Sequence, residues 1–152
     1  METPYAYGGA RALVHLHAHH LAAFVGTWRE AVEAGVEMPP TEDPDCASLE
    51  AVLRHVLGAA RGYMVWVCEV MALDDPGIEP VPDDVAGGLD DYVAHLRDRW
   101  DRPLREVGQK EMDRPVYPSR WGTPYCVDAM LEHAVMHAIR HRLQLERILE
   151  AP

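Results

Sequence analysis

The 152-residue chain is predicted to be all-α: a four-helix bundle with one long crossover connection and a short irregular or hairpin insert before the last helix. Three observations lead there. Apolar residues recur at helical spacing in four blocks, no convincing set of alternating strands accompanies them, and the breaks between blocks are rich in proline and glycine. The length suits a single domain over residues 1–152, because domains hold roughly 100–200 residues.

The first block runs from about Ala10 to Ala34. At about 100° per residue, Leu13, His17, His20, Leu21, Phe24, Trp28 and Ala31 share one face. Gly35 ends the block, with Pro39 and Pro40 just beyond. The second begins near Ser48, a good N-cap with Glu50 in the first turn, and continues to about Leu73. Its stripe includes Leu49, Val52, Val56, Leu57, Ala60, Tyr63, Met64 and Val67, and Asp74-Asp75-Pro76-Gly77 closes it. From Ile78 to Gly88 there is little apolar pattern; a connection this long is more than an antiparallel neighbour needs, hence the crossover. The third block spans about Leu89 to Val107, with Pro103 expected to distort or end it. Lys110 to Gly122 is irregular and could form a short hairpin. Thr123-Pro124 then reads as an N-cap followed by proline at the first helical position, opening a last helix that runs to about Leu149.

Charge narrows the partners. Fourteen basic against 25 acidic residues give a net charge of −11, with Asp74, Asp75, Glu79, Asp83, Asp84, Asp90 and Asp91 in one stretch free of Lys and Arg. Nucleic-acid binders and proteins of anionic membrane surfaces need basic stripes, so neither partner is expected. The acidic stretch lacks the pattern of a calcium loop and reads as a solvated connection. The longest apolar run, Tyr63 to Cys68, is six residues, against about 20 for a spanning helix. No secretory signal is visible at the N-terminus, so a cytoplasmic location is expected. Cys46, Cys68 and Cys126 are widely spaced and read as reduced thiols.

Histidine is the abnormal residue. Eight of nine fall in the first, second and last blocks. In the last helix the inward stripe is Val127, Met130, Leu131, Ala134, Ala138, Leu145 and Ile148; His141 lies about 20° from its centre, His137 about 60° and His133 about 100°. His137 and His141 are therefore inward-facing and one turn apart, the geometry by which two imidazoles share a metal ion. Hydrogen-bonded core histidines would satisfy the same spacing, and His15/His19 and His133/His137 are also i,i+4 pairs. His55 is a candidate third ligand at the edge of the second helix's apolar arc, with Ala51, Ala59 and Gly62 leaving room beside it; a partly exposed histidine is the alternative. Dimetal carboxylate bundles need Glu-x-x-His, zinc proteases His-Glu-x-x-His and hemerythrin-type sites His-x-x-x-Glu, and none occurs.

With these residues in view, the chain resembles the DinB-like (damage-inducible) metal-binding bundles over most of its length. The likeness rests on four helices with a long crossover, the insert before the last helix, one early histidine in the second helix (Ser48-Leu-Glu-Ala-Val-Leu-Arg-His55), and His-x-x-x-His-Arg-x-Gln in the last. Here that signature reads His137-Ala-Ile-Arg-His141-Arg142-Leu143-Gln144. Met136 stands where the family often has Asn, and Leu143 where it often has Gly; neither is a ligand position. The resemblance implies one divalent ion per chain held by His55, His137 and His141, zinc or nickel first, with iron or manganese as alternatives. It also implies a thiol cosubstrate, transferase-like chemistry on a small-molecule substrate, and a homodimer.

Three neutral imidazoles leave a divalent ion its full charge and an open position, the pattern of catalytic rather than structural sites. The expected function is thus a metal-dependent enzyme, transferase or hydrolase, that activates a small thiol or water against an electrophile. A non-catalytic metal-binding or stress-response dimer and a metal-free structural bundle are the alternatives. His17 and His20 share the inner face of the first helix and read as core histidines, or else as a fourth ligand, a base or supporting groups near the metal. His15 and His19 are expected in solvent, and Arg142 on the surface, at a dimer interface or in the site.

Overall fold

A computed structural model describes residues 4–152, and the fold is all-α. Residues 1–3, where the stretch read for a secretory signal begins, lie outside the described residues. Helix α1 covers Gly8–Glu33, α2 Leu49–Val70, α3 Leu89–Trp100, α4 Gln109–Asp113 and α5 Val127–Glu150; a 3₁₀ turn occupies Pro44–Cys46. Strands β1 (Tyr117–Pro118) and β2 (Pro124–Tyr125) pair antiparallel, Tyr117 opposite Tyr125 and Pro118 opposite Pro124. Helix α5 packs along α1 and against α2, and α3 touches both α1 and α2. No helix among the described residues is long and apolar enough to cross a membrane.

The helix limits follow local chemistry. Ser48 Oγ accepts from Ala51 N at 3.0 Å and starts α2 as expected. Gly35, at φ +67°, terminates α1 in the left-handed region that glycine enters without steric cost. One continuous core joins Val14, Leu21 and Phe24 of α1 to Leu53, Leu57 and Met64 of α2, to Leu96 of α3, and to Met130, Leu131 and Leu145 of α5. Three indole N–H groups tie elements together through carbonyls: Trp28 to Leu49 at 2.6 Å, Trp100 to Ala60 at 3.0 Å and Trp66 to Pro118 at 3.1 Å. Each satisfies a polar atom that would otherwise be buried at a cost.

Three details differ from the sequence reading. The last helix begins at Val127, and Thr123-Pro124 does not cap it. Gly122 at φ +93° lets the chain reverse, and the Thr123 carbonyl accepts from Ser119 N at 2.9 Å, so Thr123 and Pro124 are drawn into the hairpin. Helix α3 stops at Trp100 instead of about Val107, just ahead of Pro103, whose ring disfavours helical geometry in the residue before it. Leu104 and Val107 reach the core from turns. The short helix α4, which buries Met112, is an addition, as is the 3₁₀ turn. The acidic connection is solvated as expected, its seven acidic residues exposed, while its backbone is pinned. Arg54 donates to the carbonyls of Pro82 and Asp83, Arg61 to that of Ile78, and the Tyr92 hydroxyl to that of Glu79. Ile78 and Val85 are its buried anchors, and His95 accepts from Glu79 N at 3.0 Å.

Candidate metal centre

Helix α5 turns His137 and His141 toward α2 because the two lie beside its buried stripe, one helical turn apart. His55 sits on α2 beside buried Val56 and faces them. The three rings converge: centroids are 4.8 Å apart for His55 and His137, 5.0 Å for His55 and His141, and 4.7 Å for His137 and His141. One nitrogen from each lies within 4.8 Å of the others, and His55 Nε2 is 3.0 Å from His137 Nε2. Nitrogens at about 2.0–2.1 Å from a tetrahedral zinc ion are about 3.3 Å apart. The cluster therefore needs only small side-chain adjustments to hold a metal ion.

The outer nitrogens supply a second test of fit. His141 Nδ1–H donates to Gln144 Oε1 at 2.9 Å, and His55 Nδ1 lies 3.1 Å from Asp45 Oδ2. Both partners hold the proton on Nδ1, leaving each Nε2 lone pair directed at the cluster, the usual support of a metal-binding histidine. Asp45 belongs to the 3₁₀ turn, whose start is fixed by Asp43 accepting from Asp45 N at 2.9 Å. Gln144 Nε2 in turn donates to Cys46 Sγ at 3.6 Å. One irregular turn thus supports the histidines of two helices.

Electrostatics keeps His137 and His141 neutral. His137 is 8% exposed, and its pKa is pushed down to about 3 by burial first, then by His141, His55 and the Arg140 charge. His141 is lowered for the same leading reason, against a hydrogen bond to Gln144 that raises it. Neutral imidazole is the form that binds metal.

The structure leaves His17 and His20 out of this cluster. His17 is a core residue, its ring stacked on Trp100 at 3.6 Å and 3° between planes, with its pKa lowered to about 3 by burial. His20 is half-buried on the same helix, and its Nδ1 has no hydrogen bond. His15 and His19 are exposed, as expected. Arg142 is half-buried and pairs with Glu146, one turn along α5, at 3.1 Å through a buried Nε. The cysteines are free; burial pushes the Cys68 thiol up to about 11.

Compared with protein-family models, with curated proteins and with solved structures, the chain finds no match in any of the three.

Sequence reasoning missed two features of the site. Asp45 lies ten positions before His55, where no helical period links them; the signal was the Asp43-Pro44-Asp45 run, an Asx cap with proline at the first turn position. The other is an aromatic wall beside His137. His133 lies 5.1 Å from Trp121, 5.6 Å from Tyr63 and 5.8 Å from Tyr125, and Tyr63 lies 5.8 Å from His137. The hairpin carries two of these rings, one of them the half-exposed Trp121.

Proposed function

We propose that this chain is a DinB-like protein in which α1, α2, α3 and α5 form a four-helix bundle around one divalent ion, zinc or nickel, held by His55, His137 and His141. The observation that carries the reading is the convergence of three imidazole nitrogens within 4.8 Å, two of the rings backed on their far side by Asp45 and Gln144. Converging imidazole nitrogens are costly in a half-dry setting unless something accepts their lone pairs, and a cation would do so for all three.

In this reading the protein is a metal-dependent enzyme, cytoplasmic and homodimeric, that activates a small thiol or water against a small electrophile. When bound, the ion supplies Lewis acidity, bringing water to a pKa of about 7 or favouring thiolate over thiol. The remaining work falls to the chain. Asp45 and Gln144 hold His55 and His141 in the required tautomer. Tyr63 beside His137, with Trp121 and Tyr125 around His133 one turn away, offers an aromatic wall against which a substrate can lie.

The test is elemental analysis of untagged protein, with close to one divalent ion per chain expected, followed by a turnover screen of small thiols with electrophiles. Protein that never takes up metal overturns the reading; loaded protein that turns over no pair in a broad panel reduces it to a metal binder.

A further inference from the structure

Beside the metal centre, on the far side of Gln144, a cavity of about 500 Å³ opens between the loop leading into the 3₁₀ turn and the C-terminal half of α5. That is the size of a small-ligand pocket, commonly about 300–1,000 Å³. Its walls include apolar Met38, Pro39 and Ile148, and Gln144 and Cys46 close the end nearest His141. Arg140 and Arg147 also line it, two turns apart on one stripe of α5.

Like Arg11, Arg97 and Arg120, and unlike most arginines of the chain, these two have no ion-pair or hydrogen-bond partner among the described residues, and they are the two that line this cavity. Arg29, Arg54, Arg102, Arg105 and Arg142 are each paired with a carboxylate, and Arg61 donates to a carbonyl. Among the described residues Arg140 and Arg147 have neither an ion pair nor a hydrogen bond, in a chain with a net charge of −11. One carboxylate, Asp43, also lines the cavity; its Oδ1 accepts from Asp45 N at 2.9 Å, and the two arginines outnumber its charge. Two exposed arginines lining an apolar hollow are suited to an anion on an apolar stem, because the planar fork matches a carboxylate and the stem gains by leaving water.

We infer that this cavity is a binding site for a small carboxylate-bearing molecule, with Arg140 and Arg147 holding the carboxylate and Met38, Pro39 and Ile148 its apolar stem. The site goes beyond the metal reading and does not depend on it.

Hexanoate and its neutral isostere hexanamide are the probes, titrated into the full chain with and without zinc and followed through backbone amide shifts. Hexanoate should bind about tenfold more tightly, because hydrogen bonds to a charged partner are stronger than those to a neutral one. The shifts should fall within residues 38–46 and 140–148. R140Q and R147Q together should abolish that preference while leaving hexanamide affinity unchanged. Both side chains are exposed, so the fold should tolerate the changes; in the unaltered protein, added salt should shrink the preference as well. Equal affinity for the two probes, a preference that survives the double substitution, or shifts confined to another face overturns the assignment. Protein that binds zinc but shows no preference for hexanoate overturns this site alone, and the converse result overturns the metal centre alone.

Discussion

Replacing Asp45 with alanine removes the carboxylate beside Nδ1 of His55 and disturbs little else. The 3₁₀ turn uses the backbone N–H of residue 45, which alanine retains, and the cap on it comes from Asp43. What changes is the tautomer preference and basicity of the His55 ring. Loss of such an outer partner typically weakens metal binding about 10–100-fold. Two facts place Asp45 at the lower end: its side chain is 57% exposed, and its separation from Nδ1 is 3.1 Å. Solvent screens an exposed carboxylate, so about tenfold, or ~1.4 kcal/mol, is the expected loss. Asp45→Asn keeps an acceptor but not the charge and should fall between wild type and alanine. Zinc affinity is measured by competition with a chromophoric chelator, with thermal melts of the metal-free variants as the control for folding. An alanine variant within twofold of wild type, with its melt unchanged, would refute the idea that Asp45 supports the site.

His141→Ala should release the metal while far-ultraviolet circular dichroism stays close to wild type, and His15→Ala should change neither; retained metal in the first variant excludes His141 as a ligand. Acid should destabilise the protein through His17: its folded pKa of about 3 lies below the ordinary 6.5, so the unfolded chain binds the proton first. Stability from this residue is therefore complete above about pH 6.5 and declines as pH falls toward 3, and His17→Leu should flatten the melting temperature between pH 6.5 and about 4.5. Leu57→Ala empties a fully buried position on α2; it should cost about 2–5 kcal/mol in urea unfolding. Size-exclusion with light scattering should give a dimer mass, and a monomer at all working concentrations refutes the homodimer.

The periodic parts of the fold were legible and the aperiodic parts were not. Helices α1 and α2 match their predicted limits within a few residues because apolar spacing, the Ser48 cap and Gly35 all act locally. The start of α5 misled for a physical reason: Thr123-Pro124 is as good a helix opening as the chain contains, yet a ladder bond from Ser119 and the Gly122 turn use the same residues. A tertiary pairing outweighed a local preference. On α5, Ile148 was placed in the inward stripe but is only half-buried and lines a cavity, whereas Val135 is buried. Contact with two helices and α4 widens the covered face beyond one ideal stripe.

For the site, spacing on one helix put His137 and His141 together, but nothing periodic ties His55 to them, and the 82 positions between His55 and His137 are closed only by tertiary packing. What distinguishes this trio from the chain's other i,i+4 histidines lies outside their helices. His15 and His19 have the same spacing but face solvent. His133 is one turn from His137, yet it is surrounded by Trp121, Tyr125 and Tyr63 and so has no second imidazole lone pair to meet besides its helical neighbour's. Only His55 and His141 have an oxygen of Asp45 or Gln144 at Nδ1, which leaves Nε2 unprotonated and turned inward. The tautomer, set by one irregular turn and one glutamine, marks His55 and His141, and tertiary packing brings His137 to them.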